Sequence, residues 1–180
     1  VGGVFGRPIP LTGVMGDSHG ALFGQQCWEK GMGKCTFGTG SSVMMNIGDK
    51  PVFSSRGIAT SIAWGLGDKV EYVLEGNINC TGDTVRWLVE ELGILPDSKS
   101  SEIYAQKVPT NEGVYLVPAF TGLGAPHYAS NARALLCGLS RNSNRYHVVR
   151  AALEAIAYQI KDIVDPMVAA AGMPFEELRV

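Results

Sequence analysis

The sequence predicts an α/β domain built on a mixed sheet, and three observations predict it. Short β-rich runs fill the first half. Apolar residues at three- and four-residue spacing (Val85, Leu88, Val89, Leu92) mark a helix near the middle, and strand and helix patterns alternate after it. The 180 residues suit one domain of ordinary size, and a composition of 46% hydrophobic with 18% charged residues is globular, with enough apolar mass to bury a core.

Taken in order, Pro8–Gly16 is a short apolar run bounded by proline and glycine, expected to be a strand that delivers Asp17 at its end. A helix is expected over His19–Glu29, with Ala21, Leu22 and Phe23 apolar and Gly31 as a stop. Lys34–Gly48 reads as a hairpin whose β-rich arms flank Gly38-Thr39-Gly40. Gly57–Trp64 and Lys69–Leu74 read as strands joined across Gly65-Leu66-Gly67-Asp68. Thr81–Leu92 is the helix marked by Val85 and Leu88, and Gly93 ends it. Pro96–Tyr104 is a polar connection with room for a short helix. The dense apolar run Gly113–Phe120 predicts a strand that empties into the glycine- and proline-rich loop Thr121–Pro126. Ala134–Leu139 is a further strand, and Glu177–Val180 a strand just beginning. His147–Ala170 carries the longest helical pattern, which Pro166 is expected to kink or divide.

Composition excludes several function classes. A net charge of -2, from 15 basic and 17 acidic residues, leaves no electrostatic footprint for nucleic acid or an acidic membrane surface. A small anionic ligand stays open, because backbone N–H groups bind phosphate without a basic surface. No stretch approaches 18 uninterrupted apolar residues, so no membrane span is expected. Cys27, Cys35, Cys80 and Cys137 are far apart and form no CxxC, which favours buried thiols in a reducing compartment. The opening Val1–Gly6 has neither an initiating methionine nor a basic n-region, and the expectation is an internal piece of a longer chain.

Several residues have the chemistry of a phosphate-handling site. Asp17, within Gly13–Gly20 (GVMGDSHG), is a carboxylate beside glycines that leave room for a ligand. It reads either as the base that orients an alcohol nucleophile or as the N-cap of the next helix. Phe37–Ser42 (FGTGSS) offers successive backbone N–H groups and two hydroxyls, either a phosphate cradle or a plain turn. It lacks the spacing of a P-loop and of a dinucleotide fingerprint. Thr81-Gly82-Asp83 opens a helix that could point N–H groups at a nucleotide, with Arg86 one turn inside, either a ligand contact or a solvated arginine. His19, His127 and His147 have no metal-ligand spacing, so the chain itself offers no zinc site. No nucleophile elbow or Ser/His/Asp arrangement is visible.

Four stretches carry a family likeness: Gly13–Gln25 (GVMGDSHGALFGQ), Gly31–Gly48 (GMGKCTFGTGSSVMMNIG), Glu75–Leu88 (EGNINCTGDTVRWL) and Gly113–Tyr128 (GVYLVPAFTGLGAPHY). A fifth runs from Ala134 to Gln159. In order and spacing the chain resembles the FGGY carbohydrate kinases, and within them the glycerol kinase branch. The resemblance implies an actin/RNase H-like ATPase architecture of two domains, with sugar and ATP meeting between them. Residues 1–29 would be the tail of the N-terminal sugar-binding domain, and 30–180 an incomplete C-terminal nucleotide-binding domain that is inactive alone. Asp17 falls at the family's catalytic base, with Ser18 and Ser42 on the substrate side. Thr39, Gly40, Gly82 and Arg86 fall on nucleotide-site positions, with ATP and Mg2+ as cofactors. Ser18-His19 stands where glycerol kinases carry Gln-Gln, Ser42 where they carry phenylalanine, and Arg86 where they carry glutamine. The Ser18 and Ser42 departures imply a polyol no smaller than glycerol, and the Arg86 departure bears on the nucleotide contact, where a guanidinium could meet a phosphate. A ketopentose such as ribulose or xylulose, or a non-catalytic actin-like sensor, are the alternatives. A cytoplasmic homo-oligomer, with no nucleic-acid or membrane partner, completes the expectation.

Overall fold

A computed structural model describes residues 3–180. Val1 and Gly2, which open the segment expected to end a preceding domain, lie outside the described residues. The element order is α1 (Asp17–Gly24), β1 (Met32–Phe37), β2 (Ser41–Gly48), β3 (Ala59–Leu66), β4 (Lys69–Ile78), α2 (Gly82–Glu90) and α3 (Ser101–Ala105). It continues with β5 (Tyr115–Val117), β6 (Leu135–Cys137), α4 (Arg145–Ala171) and β7 (Glu177–Arg179). Five strands form a mixed sheet in the order β3-β4-β2-β1-β7, in which only the β1–β7 pair is parallel. β5 and β6 form a separate antiparallel pair.

Strand alternation divides the core between the two faces of this sheet. Cys35, Val43, Met45 and Leu74 point to one face and pack with Ile163 and Met167 of α4. Met44 and Val73 point to the other and pack with Leu22 of α1 and Trp64 of β3. α4 lies so close to β4 that a Cβ on Gly76 would stand 2.6 Å from Ile163 Cγ2. A third cluster joins Val85 and Leu88 of α2 to Ala105, Leu116, Val149 and Ala152. Among the described residues, no helix is long and apolar enough to cross a membrane.

Several expectations change. Pro8–Gly16 is exposed and forms no strand: no other segment pairs with it, and two of its residues are prolines without an N–H to donate. The first helix starts at Asp17 and stops at Gly24, well before Gly31. β4 runs to Ile78, because pairing with β2 continues through Gly76 and Asn77. The Gly113–Phe120 run shrinks to three paired residues, its length being limited by β6. Pro166 does not divide α4: the helix continues from its Asn144 cap to Gly172, with Pro166 and Met167 buried in its packed face. Cys27, Cys35 and Cys80 are buried as expected, Cys137 is exposed, and all four are free thiols.

Candidate functional site

The N-terminus of α1 places Asp17 as the first helical residue, behind Gly16 at the cap position. Asp17 is exposed and is not a cap; among the described residues its Oδ1 accepts only the neighbouring Ser18 N–H, at 2.7 Å. Two residues on, the His19 ring meets the Ser61 hydroxyl at 3.0 Å and ties α1 to β3. A Cβ on Gly16 would stand 3.1 Å from His19 Nδ1, so glycine lets the chain pass the ring closely. Beside them lies a cleft of about 410 Å3, lined by Val14, Met15, His19, Phe23, Ile62 and Trp64.

Beneath α1 the sheet face changes from apolar to polar. Met44 belongs to the α1 cluster, and its cross-strand partners are Lys34 and Glu75. Two residues along, Ser42 pairs with Thr36 and Asn77, so all of these share the α1 face. Lys34 is fully buried, and its Nζ donates to Thr36 Oγ1 at 2.9 Å, with longer contacts to Ser42 Oγ at 3.4 Å and Ser42 O at 3.5 Å. Among the described residues it enters no ion pair. Burial pushes the Lys34 ammonium below its ordinary value, while Cys35, Glu75, Asp17 and Cys27 oppose the change through their negative charge. The helix that begins at Asp17 thus packs on the sheet face that carries Lys34 and Ser42.

The hairpin turn sits where the two sheet faces meet. Ser42 points to the α1 face, while its neighbour Ser41 points away and bonds Thr81 Oγ1 at 2.8 Å. The turn is clamped onto the start of α2: Thr81 N–H and Asp83 N–H donate to Thr39 O at 3.0 and 3.1 Å, and Gly82 N–H donates to Gly38 O at 3.0 Å. No side chain fits between the two. A Cβ on Gly82 would stand 2.4 Å from Gly38 O, and one on Gly40 2.4 Å from Ile78 O. The first N–H groups of α2 are thus spent on the turn and do not face a ligand. The turn compensates, since among the described residues the Thr39 and Gly40 N–H groups have no backbone or side-chain acceptor. Arg86 is exposed and ion-paired with Asp83, with Glu90 at 3.8 Å.

The loop after β5 docks against the end of β4. Ala125 N–H donates to Asn77 O at 3.0 Å, and a Cβ on Gly124 would stand 2.4 Å from that same oxygen. On the α4 side this loop covers an apolar cavity of about 300 Å3 with Tyr115, Ala155 and Tyr158. The histidines stay apart: His127 faces Asp162 at 3.4 Å and His147 closes the α4 capping box. Among the described residues no group of three or more His, Cys, Asp or Glu side chains gathers around a metal position.

The candidate residues therefore fall in two places: Ser42 lies on the sheet face that α1 covers, with Asp17 and Ser18 at the start of α1, while Thr39, Gly40, Gly82 and Arg86 lie at the turn and the α2 end. Sequence reasoning missed Lys34 and Thr36. The available signal was parity, because both stand an even number of residues apart in a hairpin arm whose register places them beside Ser42.

Residues 33–180 match the C-terminal domain of the FGGY family of carbohydrate kinases. The chain belongs to that family. A glycerol kinase of Bacillus velezensis is 49% identical over 176 residues, covering 98% of this chain and 36% of that protein. A glycerol kinase of Shewanella oneidensis is 50% identical over 175 residues, 97% of this chain and 35% of that protein. The FGGY chain described here thus spans about a third of the length of these curated relatives. Among solved structures, Plasmodium falciparum glycerol kinase with ADP superposes with a TM-score of 0.85 at 40% identity, over 92% of this chain and 33% of that one. A ligand-bound xylulose kinase from Lactobacillus acidophilus matches with a TM-score of 0.76 at 20% identity, over 88% of this chain and 32% of that one, a likeness of fold. The architecture is the actin/RNase H-like ATPase fold of the sugar kinases, with the mixed sheet at its centre.

Proposed function

We propose that the protein carrying this chain transfers the γ-phosphoryl group of ATP to a primary hydroxyl of glycerol or a related polyol. The observation that carries the reading is the hairpin itself, with hydroxyls on the sheet face that α1 covers, an exposed carboxylate at the start of α1, and free backbone N–H groups at the turn. Relatives at about half identity that are glycerol kinases support the substrate class. An ADP-bound glycerol kinase of the same fold supports the nucleotide.

In this reading Asp17 accepts the proton of the attacking hydroxyl as its oxygen bonds to the γ-phosphorus and ADP departs. Phosphoryl transfer needs such positioning more than covalent help. Ser18 and Ser42 hold the alcohol, and the N–H groups of Thr39 and Gly40 receive phosphate oxygens. Gly82 allows the turn to seat on α2, and Arg86 contacts phosphate by leaving Asp83. Mg2+ would neutralise phosphate charge. Among the described residues no group of three or more His, Cys, Asp or Glu side chains gathers, so such an ion would be held chiefly by phosphates and water.

Residues 1–29 are assigned to the tail of a sugar-binding domain and 30–180 to the nucleotide-binding one, a division supported by the family match starting at residue 33. The 180 residues by themselves are expected to be inactive, because phosphoryl transfer needs both walls of a cleft. A cytoplasmic homo-oligomer is part of the same proposal.

Coupled ADP release by the full-length protein, with Mg-ATP and a panel of glycerol, erythritol, pentitols, ribulose and xylulose, tests the reading. Turnover that depends on a polyol is expected. Strong preference for a ketopentose would redirect the substrate assignment, and nucleotide binding without turnover across the panel would favour a sensor. A large preference for glycerol over every longer polyol would remove the inference of an enlarged site from Ser18 and Ser42.

A further inference from the structure

We propose that Lys34 is a positioning residue that turns the hydroxyls of Thr36 and Ser42 outward as a pair of donors for an oxygen of the bound polyol. This inference rests on the phosphotransfer reading and deepens it. An ammonium carries three N–H donors and no acceptor. Lys34 Nζ has three recorded acceptors: Thr36 Oγ1 at 2.9 Å, Ser42 Oγ at 3.4 Å and Ser42 O at 3.5 Å. Each hydroxyl that accepts from it must aim its own proton elsewhere. Among the described residues neither hydroxyl has another partner. Both protons are therefore left for the open side of the sheet face, where Thr36 is exposed and Ser42 half-buried.

Thr36 and Ser42 are direct cross-strand partners whose hydroxyl oxygens share one ammonium, and the pair makes a two-donor recess. A recess of this kind accepts an oxygen lone pair. The recess lies on the face of the sheet that packs against α1, the helix that begins with Asp17. A packing role alone explains the lysine poorly. Burying a cation without a carboxylate partner is costly, and an unbranched apolar side chain would fill the same volume without that cost.

The test uses the full-length protein and compares KM for polyol with KM for ATP. Lys34→Met is expected to raise the polyol KM about tenfold, the loss of roughly one hydrogen bond to substrate, and to leave the ATP KM within about twofold. Ser42→Ala alone is expected to give a similar rise but to add little in the Lys34→Met background, and Lys34→Arg to restore part of the loss. Should Lys34→Met fail to fold by circular dichroism, Thr36→Val and Ser42→Ala carry the test through the same split. Equal increases in both KM values, a rise confined to ATP, or independent multiplication of the Lys34 and Ser42 effects would overturn the proposal. Absence of any polyol-dependent turnover by the wild type would instead overturn the phosphotransfer reading, and the recess with it.

Discussion

Gly82→Ala is the perturbation whose size the structure constrains most tightly. The new methyl carbon would lie 2.4 Å from Gly38 O, about 1 Å inside ordinary contact, and that oxygen belongs to backbone that cannot rotate away. Either the turn or the start of α2 must retreat. Such a shift weakens the N–H bonds from Thr81, Gly82 and Asp83 to the turn carbonyls. At about 1 kcal/mol net each, their loss costs about 3 kcal/mol, offset by up to about 1 kcal/mol from alanine's helix preference. A local cost of about 2 kcal/mol corresponds to roughly thirtyfold faster hydrogen exchange at the first α2 amides. The assay is amide exchange on the full-length protein, paired with calorimetric titration of ADP. Nucleotide affinity should fall at least about tenfold, because the Thr39 and Gly40 N–H groups move with the turn. Gly24→Ala, at a glycine with open space around its Cβ position, serves as the control and should leave both quantities near wild type. Unchanged exchange and affinity in Gly82→Ala would refute the idea that the clamp between turn and helix shapes the phosphate site.

Other predictions follow from packing, charge and burial. Ile163→Ala, which opens a cavity against Gly76 and the α4 face of the sheet, should destabilise the domain by about 2–5 kcal/mol in chemical denaturation. Thiol titration of the native protein should find Cys137 reacting quickly and Cys27, Cys35 and Cys80 only after unfolding, since those three are buried and burial pushes the Cys27 and Cys35 thiols up. Cys35 is pushed up to about 11 from 9.0, so the native state holds its proton more tightly than the unfolded chain. Its contribution is complete below pH 9 and is lost as pH rises through about 11. Cys35→Ala should therefore flatten the alkaline decline in stability by up to roughly 3 kcal/mol. Arg86→Gln should change stability by less than about 1 kcal/mol, because its ion pairs are exposed, and should weaken nucleotide binding by only about threefold.

Much of the architecture was legible because local pattern and tertiary partner agree. The Lys34–Gly48 hairpin, the Val85–Leu88 helix and the long C-terminal helix each combine a clear period with a turn or cap, and each appears where expected. Pro8–Gly16 misled because a short apolar run says nothing about whether a pairing strand exists. Pro166 was expected to kink or divide α4; the helix runs through it undivided, with Pro166 buried and its neighbours Ile163 and Met167 packed on the sheet. At the site, Gly82 was legible as a special position, but its purpose was not. The sequence suggests N–H groups free at a helix start, whereas the folded chain consumes them on Gly38 and Thr39. Lys34 was invisible as a site residue since a lone lysine in a strand reads as solvated, and only the hairpin register buries it beside Ser42.

The most direct test of the central claim is Asp17→Asn in the full-length protein, assayed for polyol-dependent ADP release alongside nucleotide binding. The substitution keeps the size and position of the side chain while removing its capacity to accept a proton. The account predicts turnover reduced by at least about a hundredfold, in the range typical of a lost general base, with ADP affinity unchanged. Turnover within a few-fold of wild type would contradict it, leaving Asp17 as no more than the first residue of α1.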